Sequence, residues 1–299
     1  MPELPEVETI RRGLAPRVEG RTLAEVRVLD PRWTRPRAPA EVEEALTGRR
    51  VLRLGRRGKY LVWELDDDAF LVQHLRMTGA LLYDPPVAPA HARVRVALDD
   101  GHRLVYDDPR RFGTGELARG RADLEAFFAV RLGLEPLDPA FTAEHLRRLG
   151  CACRAPIKAF LLDQRRVAGV GNIYADEALF RAGVHPLRQA RRLTRSQWAA
   201  VRDGVVAAVA AGIAADGASI DDYRDPDGVR GRFQDEFLVH LRAGAACPSC
   251  GTPIVKLVAA GRGTYACERC QPRPRGSRSS RRPVAAAASR SSRGRWCRR

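Results

Sequence analysis

The chain opens Met1-Pro2-Glu3-Leu4-Pro5-Glu6-Val7-Glu8, and the second and third residues carry a definite chemistry. An initiator methionine is normally removed when a small residue such as proline follows, which would leave the secondary amine of Pro2 at the terminus. An α-amino group titrates near pH ~8, against ~10.4 for a lysine ammonium, so part of it is nucleophilic at neutral pH. A secondary amine condensing with a carbonyl carbon gives a cationic iminium, a strong electron sink. Glu3 lies beside it, where a carboxyl group can donate or accept a proton. A plainer role for the same residues is to open a helix, since proline suits the first turn and carboxylates suit its positive end.

Two further sets of residues carry chemistry. Cys247 and Cys250, then Cys267 and Cys270, form two CxxC knuckles separated by sixteen residues. That spacing matches a tetrahedral four-thiolate zinc site, and four cysteines leave no open position for a substrate. The zinc is therefore expected to be structural. Lysine is scarce: Lys59, Lys158 and Lys256 stand against forty-nine arginines. Where charge alone suffices this chain uses arginine, so a retained lysine is a candidate for giving up a proton, which arginine cannot do. Cys151, Cys153 and Cys297 read as reduced thiols.

The composition limits the partners. Of the formal charge of +16, ten arginines between Gln271 and Arg299, with no acidic residue among them, leave 16 − 10 = +6 for the body. A basic chain points to a polyanion, most simply nucleic acid. No run of about 18 apolar residues is present, which argues against a membrane span. The acidic opening lacks a hydrophobic signal region, so a cytoplasmic protein is expected.

The elements that must position these residues fall into blocks. Val7, Ile10 and Leu14 recur at helical spacing, with Gly13 expected to weaken the helix end. Strand patterns follow at Leu23–Leu29, Val51–Leu54, Tyr60–Leu65, Phe70–Leu75, Arg93–Val96 and Arg103–Tyr106, with turns at Asp66-Asp67-Asp68 and Asp100-Gly101. Short strands at this spacing predict a β-sandwich or barrel over residues 1–131. Residues 132–139, with two prolines and a glycine, read as a linker. Residues 140–240 turn helical: Ala143–Leu149, Ile157–Asp163, Tyr174–Arg181 and Thr194–Ala215. The glycine-bearing turn Val167-Ala168-Gly169-Val170-Gly171-Asn172 opens one of these helices. Its amides could cradle a phosphate, or its glycines could serve close packing. Residues 241–271 hold the cysteine array, with Pro253–Leu257 and Thr264–Ala266 pairing as a ribbon and Arg262 near its tip. Residues 272–299 read as a disordered polycationic tail. The expected class is α+β multidomain.

Together these residues resemble the bacterial formamidopyrimidine-DNA glycosylases, repair enzymes for 8-oxoguanine and ring-opened purines. The resemblance runs from Met1 to about Gln271 on MPELPEVET, GRRGKY, HLRMTG, DPRRFG, LGLEPL, VAGVGNIYADEALF and the cysteine array with CGTPIV. It implies an N-terminal β-sandwich, a helix-two-turn-helix domain and a C-terminal zinc ribbon. It also implies a monomeric glycosylase/AP lyase that binds damaged double-stranded DNA in the bacterial cytoplasm, at the nucleoid. By the same resemblance Pro2 attacks the sugar C1′ to form a Schiff base and Glu3 is its acid/base partner. Lys59 assists β-elimination and Arg262 δ-elimination. Met77, Arg110 and Phe112 fill the gap left by the extruded base. His74, His91 and Asn172 hold the DNA backbone, and Lys158, with Arg154 nearby, lies by the damaged nucleotide. The stretch Ser219–Gln234 closes over the flipped base.

Two departures stand out. The family often has Tyr-Gly-Arg before the zinc array, where this chain has His240-Leu241-Arg242, and the closing loop carries the charged run Asp225-Pro226-Asp227-Gly228-Val229-Arg230. Two rivals are an endonuclease VIII-type enzyme for oxidised pyrimidines and a catalytically inactive DNA-binding zinc protein. The first usually opens Pro-Glu-Gly-Pro-Glu, unlike this chain, and the second would have no need of a terminal proline amine.

Overall fold

The computed structural model describes residues 1–220 and 223–274, so nearly all of the expected tail, with Cys297, lies outside the described residues. The first element is helix α1, Leu4–Val18. Its N-terminus is closed by Glu6, whose carboxylate accepts a 2.7 Å hydrogen bond from the Glu3 amide. Gly13 does not end the helix. Val7, Ile10, Leu14 and Val18 form a fully buried stripe, because residues three and four apart share one face. That stripe packs into the core of the β domain, whereas Leu4 belongs to the core of the helical domain. One helix thus ties the chain's opening to both.

The β domain is a sandwich of two four-stranded antiparallel sheets. Its strands are β1 (Leu23–Val28), β2 (Val51–Arg57), β3 (Tyr60–Leu65), β4 (Ala69–His74), β5 (Ala80–Tyr83), β6 (Ala92–Leu98), β7 (Arg103–Asp107) and β8 (Thr114–Arg119). One sheet runs β2-β3-β4-β8 and the other β1-β6-β7-β5. The β2–β3 hairpin pairs Arg57 with Tyr60, so Gly58 and Lys59 are its two turn residues. Gly58 has φ 59°, as a two-residue hairpin of this hand demands. The expected turns at Asp67 and Asp68 (φ 51° and 52°) and at Gly101 (φ 88°) are present.

Four elements lie beyond the sequence expectation: β5, β8, α2 (Pro39–Leu46) and α3 (Gly120–Ala129). In α2, Val42 and Leu46 are buried one turn apart beneath a proline in the first turn. Helix α3 covers the outer face of the first sheet, setting Phe127 and Phe128 edge-on against Tyr60 at 5.6 and 5.7 Å. The segment 132–139 is not a free linker. Glu135 binds Arg56 at 2.8 Å and also the Gly58 amide, and Leu134 bridges to Val167. A carboxylate with three donors clamps the strap to the β2–β3 hairpin.

The helical domain contains α4 (Ala143–Gly150), α5 (Ile157–Leu162), α6 (Asn172–Arg181) and α7 (Arg195–Ala214). Thr194 and Gln197 cap α7 reciprocally, a standard capping box. At Gly204, α7 lies so close to α6 that a Cβ would fall 2.4 Å from the Ala178 carbonyl. Strands β9 (Val255–Ala259) and β10 (Arg262–Ala266) form the ribbon, joined at Ala260-Gly261 with φ 52° and 71°. No helix of the described residues is long and apolar enough to cross a membrane.

Candidate active site

Glu3 is 3% exposed. One oxygen accepts the Ile173 amide at 3.2 Å, in the first turn of α6, while the other has no partner among the described residues. The Gly169–Gly171 turn makes this possible. The Gly169 carbonyl accepts the Leu4 amide at 3.0 Å, and its own φ is 87°. A Cβ on Gly171 would stand 2.3 Å from the Glu3 carboxyl carbon. The turn therefore seats an internal carboxylate. The favourable pole of α6 holds Glu3, and Gly169 and Gly171 allow the close approach of Leu4 and Glu3.

Glu6 has no place among the expected site residues, yet it is the hub beneath Glu3. It is 1% exposed and accepts from the Tyr174 hydroxyl at 2.6 Å and the Ala218 amide at 2.8 Å, besides Glu3. Burial, and then the nearby charge of Glu3, raise its pKa. Glu3 and Glu6 stand at the N-cap and N3 positions of α1, a pairing legible in the sequence as a helix start. Its reach to residues 217–218, at the root of the closing loop, is a tertiary fact.

Lys59 is 4% exposed on its hairpin turn. Burial lowers its pKa, only partly opposed by the negative charges of Glu3 and Glu6. Pro2 is buried beneath Met1. A cleft of about 240 Å³ gathers Glu3, Met77, Arg110, Asn172 and Arg262 from the expected set, together with His240.

Two polar loops carry the apolar wedges. Met77 is 37% and Phe112 50% exposed, and the Arg110 guanidinium lies 4.8 Å over the Phe112 ring. Asp108, fully buried, fixes both loops. It accepts from the Thr78 and Tyr106 hydroxyls and from the amides of Arg110, Phe112 and Gly113. The Tyr106 hydroxyl fills the space where a Cβ on Gly79 or Gly113 would lie, 2.3 and 1.7 Å away. The final glycines of HLRMTG and DPRRFG are thus required by one tyrosine. His74 Nδ1 accepts the Arg76 amide at 2.9 Å. Burial and the Arg76 charge bring its pKa down to about 3, so it presents a neutral ring. The His91 and Arg154 side chains are exposed.

Lys158 requires a correction. It is fully buried, and its ammonium donates to Asp176 at 2.7 Å, Thr264 Oγ1 at 2.8 Å and the Gly263 carbonyl at 3.2 Å. All three donors are used, so it offers nothing to DNA. It anchors the ribbon to α5 and α6 instead. Asn172 joins it, donating to the Gly263 carbonyl at 3.1 Å. These contacts hold the residues directly after Arg262, which is itself exposed.

The four sulfurs of Cys247, Cys250, Cys267 and Cys270 all lie within 4.8 Å of one another. Zn–S bonds of about 2.3 Å in a tetrahedron place sulfurs about 3.8 Å apart, and the Cys247–Cys270 and Cys250–Cys267 pairs stand at 3.8 and 3.4 Å. The cage fits one structural zinc. Cys151 is exposed and Cys153 half-buried, both as free thiols.

Three family models match in colinear order: the formamidopyrimidine-DNA glycosylase N-terminal domain over residues 1–115, the H2TH domain of the same enzymes over 132–224, and a zinc finger found in FPG and IleRS over 244–273. The formamidopyrimidine-DNA glycosylase of Paracoccus denitrificans is 44% identical over 285 residues, covering 91% of this chain and all of the relative. That of Thermus thermophilus is 45% identical over 277 residues, covering 91% and 98%. The crystal structure of the Thermus thermophilus MutM (Fpg) protein matches with TM-score 0.82 and 43% identity over 90% of this chain and 98% of that one. A complex of Lactococcus lactis Fpg with DNA containing an abasic site matches with TM-score 0.84 and 35% identity over 91% and 100%.

Proposed function

The chain belongs to the formamidopyrimidine-DNA glycosylase family, and from that premise we propose how its cleft works. It is a base-excision-repair DNA glycosylase with AP lyase activity and one structural zinc. Its substrate is an oxidised purine, 8-oxoguanine or a formamidopyrimidine, in duplex DNA, and it acts as a monomer on nucleoid DNA in the bacterial cytoplasm.

The observation that carries the mechanism is Glu3: a buried carboxyl with one oxygen held by α6 and the other unpartnered, on the wall of the cleft. Removal of Met1 frees the Pro2 nitrogen beside it. That nitrogen attacks C1′ and the C1′–N bond to the damaged base breaks, the base leaving with the electron pair and taking up a proton. Glu3 delivers a proton to O4′ as the C1′–O4′ bond opens, giving the Pro2 iminium. Loss of a C2′ proton then expels the 3′ phosphate, and a second elimination expels the 5′ phosphate. The lowered pKa of Lys59 suits it to move protons in these steps. Arg262 holds a phosphate, because a guanidinium cannot give up its proton. Zinc keeps the ribbon folded and takes no part in bond changes. Met77, Arg110 and Phe112 occupy the duplex once the base is extruded. His74, His91, Asn172 and Arg154 meet the backbone.

Borohydride trapping on a duplex with one 8-oxoguanine opposite cytosine tests this reading. A covalent protein–DNA band that disappears in Pro2→Gly is expected. No band from zinc-loaded, Met1-free protein would overturn the purine assignment. A band on a thymine-glycol duplex instead would favour the endonuclease VIII-type rival, and none on either duplex the inactive binder.

A further inference from the structure

One titratable ring on the cleft wall has no part in the reaction above. His240 stands where the family often has tyrosine, in the Tyr-Gly-Arg run that this chain replaces with His240-Leu241-Arg242. Its Nδ1 lies 2.8 Å from one Asp176 oxygen, and the other Asp176 oxygen accepts from Lys158 at 2.7 Å. None of the three side chains is more than 4% exposed. The ring plane is fixed edge-on against Phe237 at 5.3 Å and Tyr265 at 5.1 Å. The His240 amide is fixed too, donating at 3.0 Å to Glu177. With Nδ1 committed, the ring nitrogen left over is Nε2. It makes no hydrogen bond to any described residue, and His240 borders the cleft alongside Glu3, Asn172 and Arg262.

The charges around the ring decide what Nε2 can do. The Lys158 ammonium compensates Asp176 on the far side. Glu177 is occupied by the amides of residues 238–240 and by Arg181. Arg262 and Glu3, of opposite sign, share the cleft, and the Tyr265 hydroxyl belongs to the neighbouring strand. With Nδ1–H donating to Asp176, the neutral ring presents a lone pair at Nε2. A phosphate oxygen is also an acceptor and would be repelled. Only the imidazolium donates from both nitrogens. A tyrosine hydroxyl at this position could donate to a phosphate without taking up a proton.

We propose that His240 is a proton-linked contact for the DNA backbone: seating the duplex in this cleft takes up one proton at Nε2. The inference rests on the DNA-binding reading above. Affinity for lesion DNA then falls as pH rises, by up to about tenfold per pH unit for one linked proton.

The test is the pH dependence of binding to a duplex carrying an uncleavable tetrahydrofuran abasic analogue, by fluorescence anisotropy from pH 6 to 8.5 at fixed ionic strength. Calorimetry in buffers of different ionisation enthalpy counts the protons taken up. Wild type is expected to take up close to one proton. His240→Gln is expected to lose that uptake, and His240→Tyr, which keeps a ring between Phe237 and Tyr265, to bind without it. Zinc content checks that the ribbon is intact, and if the glutamine variant loses zinc, the tyrosine variant decides. No uptake by wild type, or the same uptake in His240→Tyr, overturns the proposal. Uptake surviving in His240→Tyr would pass instead to the exposed His91 or to His74, whose pKa in the free protein is brought down to about 3 by burial. Failure of wild type to bind the duplex at any pH would instead sink the DNA-binding reading itself.

Discussion

Asp108→Asn is the sharpest test of how the two wedge loops are held. One Asp108 oxygen serves the Tyr106 hydroxyl and the Phe112 and Gly113 amides at 3.2, 2.9 and 2.9 Å. The other serves the Thr78 hydroxyl and the Arg110 amide. An asparagine can keep only one oxygen, and it keeps most by facing the first three donors. Its NH₂ then faces Thr78, whose hydroxyl can rotate to accept, and the Arg110 amide, which is left with only its longer 3.4 Å bond to Thr78 Oγ1. A donor left so poorly bonded costs about 1–3 kcal/mol, and each charge-assisted bond reduced to a neutral one loses roughly 1 kcal/mol. Allowing for relaxation at the partly exposed Arg110 amide, the expected loss is about 3–5 kcal/mol, a large share of a typical domain stability of about 5–15 kcal/mol. Urea unfolding measures it. Binding to a tetrahydrofuran duplex should weaken together with stability, because Met77, Arg110 and Phe112 lose their common support. A stability loss below about 1 kcal/mol with unchanged binding would refute Asp108 as the organising residue.

Other consequences follow from the same geometry. Gly171→Ala, by driving a Cβ into the Glu3 carboxyl, is expected to cut excision at least about 100-fold while circular dichroism stays native; near-normal turnover would contradict the seat assigned to Glu3. The Glu8 carboxyl, bonded to Arg11 and Arg56, is drawn down to about 2. Its folded pKa is depressed, so its stabilisation is complete above about pH 4.5 and is lost as pH falls toward 2. The full shift corresponds to about 3 kcal/mol, reduced to roughly half by solvent on the Arg12 side, and Glu8→Gln should flatten the unfolding free energy between pH 5 and 2. Leu241, 51% exposed at φ 59°, carries a left-handed penalty of about 1 kcal/mol, so Leu241→Gly should raise Tm by a few degrees; no rise would mean that its contacts offset the strain. Chelation should release one zinc per chain and abolish lesion binding, since Lys158 and Asn172 then lose their ribbon acceptors; binding that survived zinc loss would separate the ribbon from the DNA surface.

The sequence alone determined whatever depends on neighbours along the chain. The Pro2-Glu3 opening, the turns at Asp66-Asp67-Asp68 and Asp100-Gly101, the β alternation, the long helix α7 and the zinc cage spacing are local patterns, and each is legible because turn geometry, strand period and chelate spacing act over a few residues. Helices α2 and α3, at eight and ten residues, were not read from the sequence, since so short an apolar period does not stand out within a strand-rich stretch. What only the tertiary structure decided is which polar groups meet across the chain. Glu6 reads as a helix-start residue until Tyr174 and Ala218 arrive from more than 160 positions away. Lys158 reads as a DNA contact until Asp176, Gly263 and Thr264 take up its three donors. The strap 132–139 reads as a linker until Glu135 finds Arg56. Burying a charge costs far more than exposing it unless partners are supplied, and those partners come together only when the chain folds.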